Sequence, residues 1–249
     1  MLPSPRTMQP SPSQGFGYGA EATAIFQSKW SLYDAIIEQN YMNHREIHAQ
    51  VRTLLAERAA AGGYTLLDLG CGNARLLAPT LVAHPPSLYT GIELSSTALR
   101  EASGFLQPLP ACNLHEMDMQ AFVESTPEPA FDVIFSSFAV HHLKPDQKPA
   151  FLTGLHRILK PGGMFILVDH MRPEGMSRDA YLRDYMHMMR TRWNRIPPAQ
   201  IEEACDHVTA HDYPEAFSAH ATYGMAAGFG APRLASKFGS HEIMVFAKP

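Results

Sequence analysis

The sequence predicts an α/β fold: a doubly wound, mostly parallel sheet of seven strands that ends in an antiparallel hairpin. Short apolar runs alternate with helical stretches through the middle of the chain, which is typical of βαβ units with helices on both faces of a parallel sheet. The last two apolar runs have no helix between them, which favours a hairpin. With 45% hydrophobic and 18% charged residues among 249, the chain can bury the core of one such domain.

The segments before the sheet are predicted to form a tail and a helical cap. Residues 1–20 begin with a stretch rich in Pro and Ser, which predicts a flexible tail. Residues 21–63 carry apolar side chains at helical spacing and predict two helices, with a break within residues 40–43. The glycine pair at 62–63 ends the second helix. The remaining residues, 64–249, are predicted to be the main domain.

Seven apolar runs predict the strands of the sheet. Five of them alternate with helices and predict the parallel part, and the last two predict the hairpin, with Gly239-Ser240 between them. The predicted strands are Tyr64–Leu69, Leu88–Leu94, Cys112–Met117, Phe131–Phe135, Met164–Val168, Pro232–Phe238 and Glu242–Ala247. The predicted helices between the first five are Leu76–Ala83, Thr97–Leu106 and Gln147–Leu159, and Lys160–Gly163 is predicted to be a turn.

Residues 172–213 interrupt the strand pattern and are predicted to be a helical lid. Two helical stretches lie on either side of Pro197-Pro198, and a further helix is predicted at Phe217–Ala227. Because the insertion follows the fifth strand, we expect it near the carboxyl ends of the strands, where open α/β sheets bind their ligands.

Composition and charge disfavour several classes of protein. Lys and Arg number 20 against 24 Asp and Glu, and a net charge of -4 lacks the basic excess that nucleic-acid binding needs. No apolar run approaches the roughly 20 residues that span a bilayer, and the N-terminus does not resemble a secretory signal. Cys71, Cys112 and Cys205 are odd in number and widely spaced, which favours reduced thiols. We expect a cytoplasmic protein without nucleic-acid or membrane partners, and a homodimer stays open.

Three strand ends carry the residue types of a nucleotide-binding site. Asp68-Leu69-Gly70-Cys71-Gly72 is a turn from strand to helix, where glycines allow a tight bend and a close approach of backbone to a ligand. Glu93 ends the second strand, where a carboxylate can accept both hydroxyls of a ribose. Asp118 follows the third strand, where it can reach an adenine amine.

In these residues the sequence resembles the class I S-adenosylmethionine (SAM) dependent methyltransferases, in their small-molecule branch. Phe131–Ser137 resembles the family's fourth strand, and Leu159–Gly163 resembles the turn before its fifth. One departure is Ala74, where the family usually has a third glycine. The resemblance implies SAM as the cofactor, with backbone around the glycines holding its methionyl part, Glu93 its ribose and Asp118 its adenine. The cofactor-binding residues that it implies are Asp68, Gly70, Cys71, Gly72, Glu93, Leu94, Asp118, Met119 and Ser136.

The implied activity is transfer of a methyl group from SAM to a small-molecule nucleophile, with O, N, C and S all open as the accepting atom. An NAD(P)-dependent oxidoreductase is an alternative, but its G-x-G-x-x-G fingerprint requires glycine where Arg75 stands. A SAM-binding regulatory protein without transferase activity is a second alternative, since a fold does not fix a function.

The fourth strand ends in Ser136-Ser137-Phe138-Ala139, and this sequence disfavours some of the acceptors and mechanisms that occur in the family. Methyltransferases of nucleobase or glutamine nitrogens resemble one another in an Asn/Asp-Pro-Pro-aromatic run at this place, and that run is absent. Metal-dependent relatives need acidic ligands near the ends of the fourth and fifth strands. Ser136 is not acidic and Asp169 alone is insufficient, so no metal site is predicted. Two histidine pairs at helical spacing, His44/His48 and His207/His211, lack an identifiable third ligand.

The candidate catalytic residues are two histidines after the fourth strand and a tyrosine of the cap, Tyr33. His141 or His142 is suited to remove a proton from a substrate hydroxyl or amine, although either could instead hydrogen-bond the loop. The residues predicted to contact the acceptor are Tyr18, Tyr41, His44 and Arg192. Aromatic packing for the tyrosines and a solvated helix face for the arginine stay open as alternatives.

Overall fold

The computed structural model describes residues 30–249, so the predicted tail and Tyr18 lie outside the described residues. Seven strands form one sheet: β1 (Thr65–Leu69), β2 (Leu88–Glu93), β3 (Cys112–Glu116), β4 (Phe131–Ser137), β5 (Leu159–His170), β6 (Arg233–Phe238) and β7 (His241–Ala247). The helices are α1 (Trp30–Glu38), α2 (His44–Ala60), α3 (Ala78–Ala83), α4 (Ser96–Leu106), α5 (Met119–Ser125), α6 (Lys148–Ile158), α7 (Arg178–Arg192), α8 (Pro198–His211) and α9 (Phe217–Ala227).

The strand order is β3-β2-β1-β4-β5-β7-β6, and it confirms the predicted fold class. Strands β1 to β5 pair in parallel, whereas β7 is antiparallel to both β5 and β6. The turn between β6 and β7 contains Gly239 at φ 63°, a conformation that glycine adopts without a steric penalty.

Successive residues of the central strands face opposite sides of the sheet, and each side has its own core. Leu66 and Val133 belong to the core covered by α2, α3 and α4, while Leu67 and Ile134 belong to the core covered by α5 and α6. The near-continuous apolar sequence of these strands follows from burial on both faces.

A third core joins the first helix to the two helices of residues 172–213. Leu32 and Ile36 of α1 pack with Tyr185 and Met189 of α7 and with Ile201 of α8. The cap and the α7–α8 pair therefore share buried apolar surface, which holds them together over the sheet edge.

The structure refines several predicted boundaries. Asn40 and Asn43 take left-handed φ values of 56° and 59°, which separates α1 from α2 as predicted. Helix α5 follows Asp118 directly and was not predicted because it is only seven residues long. The predicted turn before the fifth strand lies inside β5: Phe131 pairs with Leu159 and Val133 with Met164, so residues 160–163 bulge out of register.

Among the described residues, no helix combines the length and the apolar character that crossing a membrane requires.

Asp132 on β4 ties the amino-terminal end of the sheet together. Its Oδ2 accepts hydrogen bonds from the Thr65 backbone N–H at 2.9 Å and from Lys160 Nζ at 2.9 Å, and its Oδ1 accepts one from Arg58 at 3.0 Å. Burial alone would raise the pKa of Asp132, but the Thr65 N–H and Lys160 outweigh it and lower that pKa to about 2.

We expect Asp132→Asn to lower the free energy of unfolding by about 1–3 kcal/mol at neutral pH, because the charge-assisted hydrogen bonds are weakened. A depressed folded-state pKa contributes stability above the unfolded value of about 3.9, and that contribution is lost as pH falls through the folded value. Urea denaturation at several pH values should therefore show the deficit shrinking below about pH 4. The exposed Asp146→Asn serves as the control, and an equal deficit in both variants would contradict the expectation.

Candidate active site

A cavity of about 270 Å³ lies at the carboxyl ends of the parallel strands, beneath the cap and the α7–α8 pair. Gly70, Gly72 and Glu93 line one side of it, and Trp193 and Asp212 line the other. This is where ligands are expected in an open parallel sheet, since strand ends and loops leave a crevice there.

The backbone of the turn after β1 packs closely against its neighbours. Gly70 has φ 74°, and a Cβ at this position would lie 2.6 Å from the Ala139 Cβ. The Gly70 and Cys71 N–H groups both donate to the Ile92 carbonyl, at 2.9 and 3.0 Å, which fixes the turn to β2. Ala74 also has a left-handed φ, of 55°, so the residue that departs from the family glycine keeps a conformation that glycine favours.

Glu93 is held rigidly at the end of β2. Its Oε2 accepts from the Gly72 N–H at 3.0 Å, and its Oε1 accepts from the Leu94 and Ser95 N–H groups at 2.8 and 2.9 Å. Burial raises the pKa of Glu93, although these backbone hydrogen bonds oppose the increase. A carboxylate offers roughly four acceptor sites, so three backbone donors leave capacity for a ligand hydroxyl.

The two carboxylate oxygens of Asp118 have different surroundings. Its Oδ1 caps α5 by accepting from the Gln120 and Ala121 N–H groups at 2.9 and 3.0 Å. Its Oδ2 is buried and has no hydrogen-bond partner among the described residues. Met117 and Met119, on either side of it, line the cavity. An acceptor atom left unpaired between two apolar side chains suits the amine of an aromatic ring.

Asp68 is buried in a smaller pocket of about 60 Å³ next to the cavity, which Cys71 and Gly72 also line. The Tyr89 hydroxyl donates to Asp68 Oδ2 at 2.8 Å. Burial raises the pKa of Asp68 to about 7, with Tyr89 opposing the shift and Glu93 adding to it. A cation next to Asp68, such as an ammonium group, would therefore stabilise the charged form of the carboxyl group and lower its pKa.

Buried histidines and carboxylates form the opposite wall of the cavity. His141 Nδ1 lies 2.5 Å from Asp169 Oδ1, and the His141 backbone N–H donates to Asp169 Oδ2 at 2.9 Å. Burial lowers the pKa of His141, but Asp169 and Asp212 outweigh it and raise that pKa overall. Burial also lowers the pKa of His142, and it lowers the pKa of His170 to about 4.

The remaining predicted residues are divided between the site and its surroundings. Leu94 and Met119 line the cavity, and Tyr33 lines both the cavity and the smaller pocket. Ser136 is fully buried, and its hydroxyl donates to the Leu69 carbonyl at 2.9 Å, while its neighbour Ser137 lines the cavity.

The residues predicted to contact the acceptor do not lie together at the cavity. His44 lines the smaller pocket and meets the ring of Tyr33 edge-on, at 5.9 Å between centroids. Tyr41 stacks on Trp193 at 5.5 Å and supports the cavity wall from behind. Arg192 is exposed and does not line the cavity.

Sequence reasoning did not single out the lid side of the cavity. Trp193, Asp212 and His170 line it, yet they follow no motif and lie far apart in the chain. The one available signal was the position of His170 at the end of a strand, next to Asp169.

Comparison with known proteins identifies a methyltransferase domain within the chain. Residues 66–163 match a family model described as a methyltransferase domain. An uncharacterised methyltransferase of Synechocystis sp. is 34% identical over 122 residues, which are 48% of this chain and 53% of that protein. A tRNA N(3)-cytidine methyltransferase of Danio rerio is 30% identical over 118 residues, which are 45% of this chain and 33% of that protein. The chain thus spans about half the length, or less, of these relatives.

A solved structure shows the same fold. Human N-acetylserotonin methyltransferase in complex with SAM superimposes with a TM-score of 0.60 at 15% identity, covering 92% of this chain and 59% of that one. The match of the family model falls on the strands that carry Gly70, Glu93 and Asp118. Residues 66–163 therefore match a methyltransferase domain, and the described residues share the fold of a methyltransferase solved in complex with SAM.

Proposed function

We propose that this protein transfers a methyl group from SAM to a small-molecule acceptor that binds beneath the α7–α8 pair. The observation that carries the proposal is one continuous cavity with two unlike ends. Gly70, Gly72 and Glu93 line the end suited to the cofactor, and Trp193 and Asp212 line the end left for an acceptor.

The residues at the first end fit SAM. Gly70 and Gly72 line the cavity without side chains, which leaves room for the methionyl part beside the backbone of the turn. Glu93 keeps acceptor capacity for the ribose hydroxyls. Asp118 Oδ2, buried without a partner among the described residues, would accept a hydrogen bond from the adenine amine.

The second end fits a small acceptor with an apolar body and one polar group. Leu32, Ile36 and Met189 supply apolar surface from the cap and from α7, while His141 and Asp212 supply polar atoms. Helical segments of the cap and of the α7–α8 pair line this end, and a net charge of -4 lacks the basic excess that binding a folded RNA needs. These features favour a small molecule over the tRNA that one relative modifies.

When bound, SAM supplies an electrophilic methyl group on its sulfonium sulfur. The protein's part is to align the acceptor with that methyl group and to exclude water, effects worth about 7–11 kcal/mol in favourable cases. The catalytic roles predicted for His141, His142 and Tyr33 stay predictions, and all three residues line the cavity. Burial raises the pKa of Tyr33 to about 12, so its hydroxyl is suited to donate a hydrogen bond rather than to act as a base.

The first test is thermal unfolding with SAM, S-adenosylhomocysteine, NAD and NADP in parallel. Ligand at 100 times its Kd should stabilise the protein by about 2.7 kcal/mol, which raises the Tm measurably. We expect the two sulfur nucleosides to raise the Tm and the nicotinamides to leave it unchanged. The reverse pattern would overturn the proposal, and binding of bulk tRNA at physiological salt would overturn its small-molecule part.

We expect Glu93→Ala to weaken S-adenosylhomocysteine binding at least about 10-fold in calorimetry, because a ribose loses a charged hydrogen-bond partner. Glu116 pairs with Glu93 across β2 and β3 and is exposed, so Glu116→Ala is a matched control. An affinity that is equal in Glu93→Ala and in the control would remove Glu93 from the cofactor site.

The affinity for SAM should depend on pH through Asp68. Its pKa of about 7 means that the carboxyl is largely neutral below that pH, and only the charged form attracts the cofactor ammonium group. Affinity should therefore rise between about pH 5.5 and 7, with proton release on binding, and fall again above about 8 as the ammonium group itself deprotonates.

Calorimetry in buffers of different ionisation enthalpy measures this proton release. Asp68→Asn should bind more weakly, with a flat profile over the acid range. A wild-type profile that is also flat would show that Asp68 does not meet the ammonium group. The titratable side chains nearest to Asp68 are Tyr89, Glu93 and Cys71, with Tyr33, His44, His48 and Arg75 around the same pocket.

A further inference from the structure

Three buried side chains from separate parts of the chain meet on the acceptor side of the cavity. His141 lies in a short 3-10 turn after β4, His170 ends β5, and Asp212 follows the last residue of α8. One potential ligand atom of each lies within 4.8 Å of the others, and all three residues are buried.

We propose that His141, His170 and Asp212 form a binding site for a divalent first-row transition metal ion, with Zn²⁺ as the best match. The inference rests on the proposed function for its catalytic meaning, because the same three residues line the acceptor end of the cavity. The metal site itself is inferred from the distances between the three side chains and from their burial.

The separations between the ligand atoms fit a metal better than they fit direct hydrogen bonds. His141 Nε2 lies 3.7 Å from Asp212 Oδ1, and His170 Nε2 lies 3.5 Å from Asp212 Oδ2. Hydrogen bonds between such groups are normally about 2.7–2.9 Å long. Two ligands at about 2.0–2.1 Å from a tetrahedral zinc ion lie roughly 3.3–3.4 Å apart. The two imidazoles face different oxygens of Asp212, so the carboxylate would bind the ion through both oxygens or turn to present one of them.

An unsatisfied nitrogen points to the same conclusion. His170 is 2% exposed, and its Nε2 has no hydrogen-bond partner among the described residues. A buried polar atom left unpaired destabilises the folded protein, so a ligand that satisfies it would stabilise the fold. The atom faces Asp212, which would also be a ligand.

The outer nitrogens of both histidines already have the partners that metal ligands require. His141 Nδ1 contacts Asp169 at 2.5 Å, and His170 Nδ1 lies 3.2 Å from the Tyr181 hydroxyl. Metal-bound histidines are commonly held in this way, since a bond at the outer nitrogen fixes the ring and leaves Nε2 as the ligand atom.

A second group of possible ligands shares Asp212, together with His142 and His207. We favour the first group because all its members are buried. In the second, His142 and His207 are only partly buried, and His142 Nδ1 also faces the His211 carbonyl at 3.3 Å.

Two imidazoles and one carboxylate select the type of ion. Such a donor set suits zinc and its first-row neighbours, whereas Mg²⁺ prefers oxygen ligands. Three protein ligands leave at least one position of the metal open, which is typical of catalytic sites. The open position selects acceptors that carry a hydroxyl, thiol or amine able to bind the ion, and His141 would then act as a ligand.

The test uses the full chain, without a histidine tag, after dialysis against a chelator. Zn²⁺ titration followed by calorimetry and elemental analysis should show about one bound ion per chain, and Mg²⁺ should show none. Co²⁺ should produce visible absorption bands characteristic of mixed nitrogen and oxygen ligands, and Zn²⁺ should remove them.

His170→Ala and Asp212→Asn should each weaken Zn²⁺ binding by about 100-fold or more, because a ligand is lost, and Tyr181→Phe by about 10-fold through the outer nitrogen. His187 lies exposed on α7, so His187→Ala is the matched control and should bind as wild type does. Circular dichroism verifies the fold of each variant. If the His170 variant does not fold, Zn²⁺ binding by Asp212→Asn and Tyr181→Phe tests the site instead.

The two proposals fail separately. Wild-type protein that binds S-adenosylhomocysteine but no Zn²⁺ overturns the metal site alone, as does Zn²⁺ binding that is equal in the folded variants and in the control. Protein that binds Zn²⁺ at this site but neither SAM nor S-adenosylhomocysteine overturns the proposed function and leaves the metal site.

Discussion

The architecture of the site depends on the contacts between the buried carboxylate of Asp212 and the histidines around it. A charge that is 4% exposed is stable only with compensating partners, and His141, His142 and His170 surround it. The next residue extends the same contact, because the Tyr213 N–H donates to the His141 carbonyl at 2.7 Å. These contacts fasten the carboxyl end of α8 to the sheet and so close the cavity from above.

This closure gives the site its two unlike ends. The first is made of backbone turns and carboxylates at the ends of β1, β2 and β3, and it would exist without α7 and α8. The second exists only where the helical pair meets the sheet. A water-excluding enclosure strengthens electrostatic interactions inside it, so polar groups such as Asp212 act more strongly there than at a surface. The catalytic and specificity-determining chemistry therefore depends on the helical pair being in place.

The same division explains what could be predicted from sequence. Strand periodicity and glycine positions predicted the sheet. Since the carboxyl ends of parallel strands meet at one edge, the sequence also predicted that Gly70, Glu93 and Asp118 lie at the same edge, as they do in the structure. The contact of His141 with Asp212 joins residues 71 positions apart and follows no local pattern. Burial by tertiary packing also decides whether a residue such as Arg192 faces the cavity or solvent, and helical spacing alone does not determine it.

Because backbone geometry makes the cofactor end, sequence changes there are limited to residues that keep a left-handed φ or a strand-end carboxylate. The acceptor end is made of side chains from α1, α7, α8 and the ends of β4 and β5, which are not bound by these backbone requirements. Such a site can vary its acceptor while keeping its cofactor. A polar cluster buried at the variable end, with His170 Nε2 unpaired among the described residues, is therefore more informative about the acceptor than the motifs within the matched methyltransferase domain.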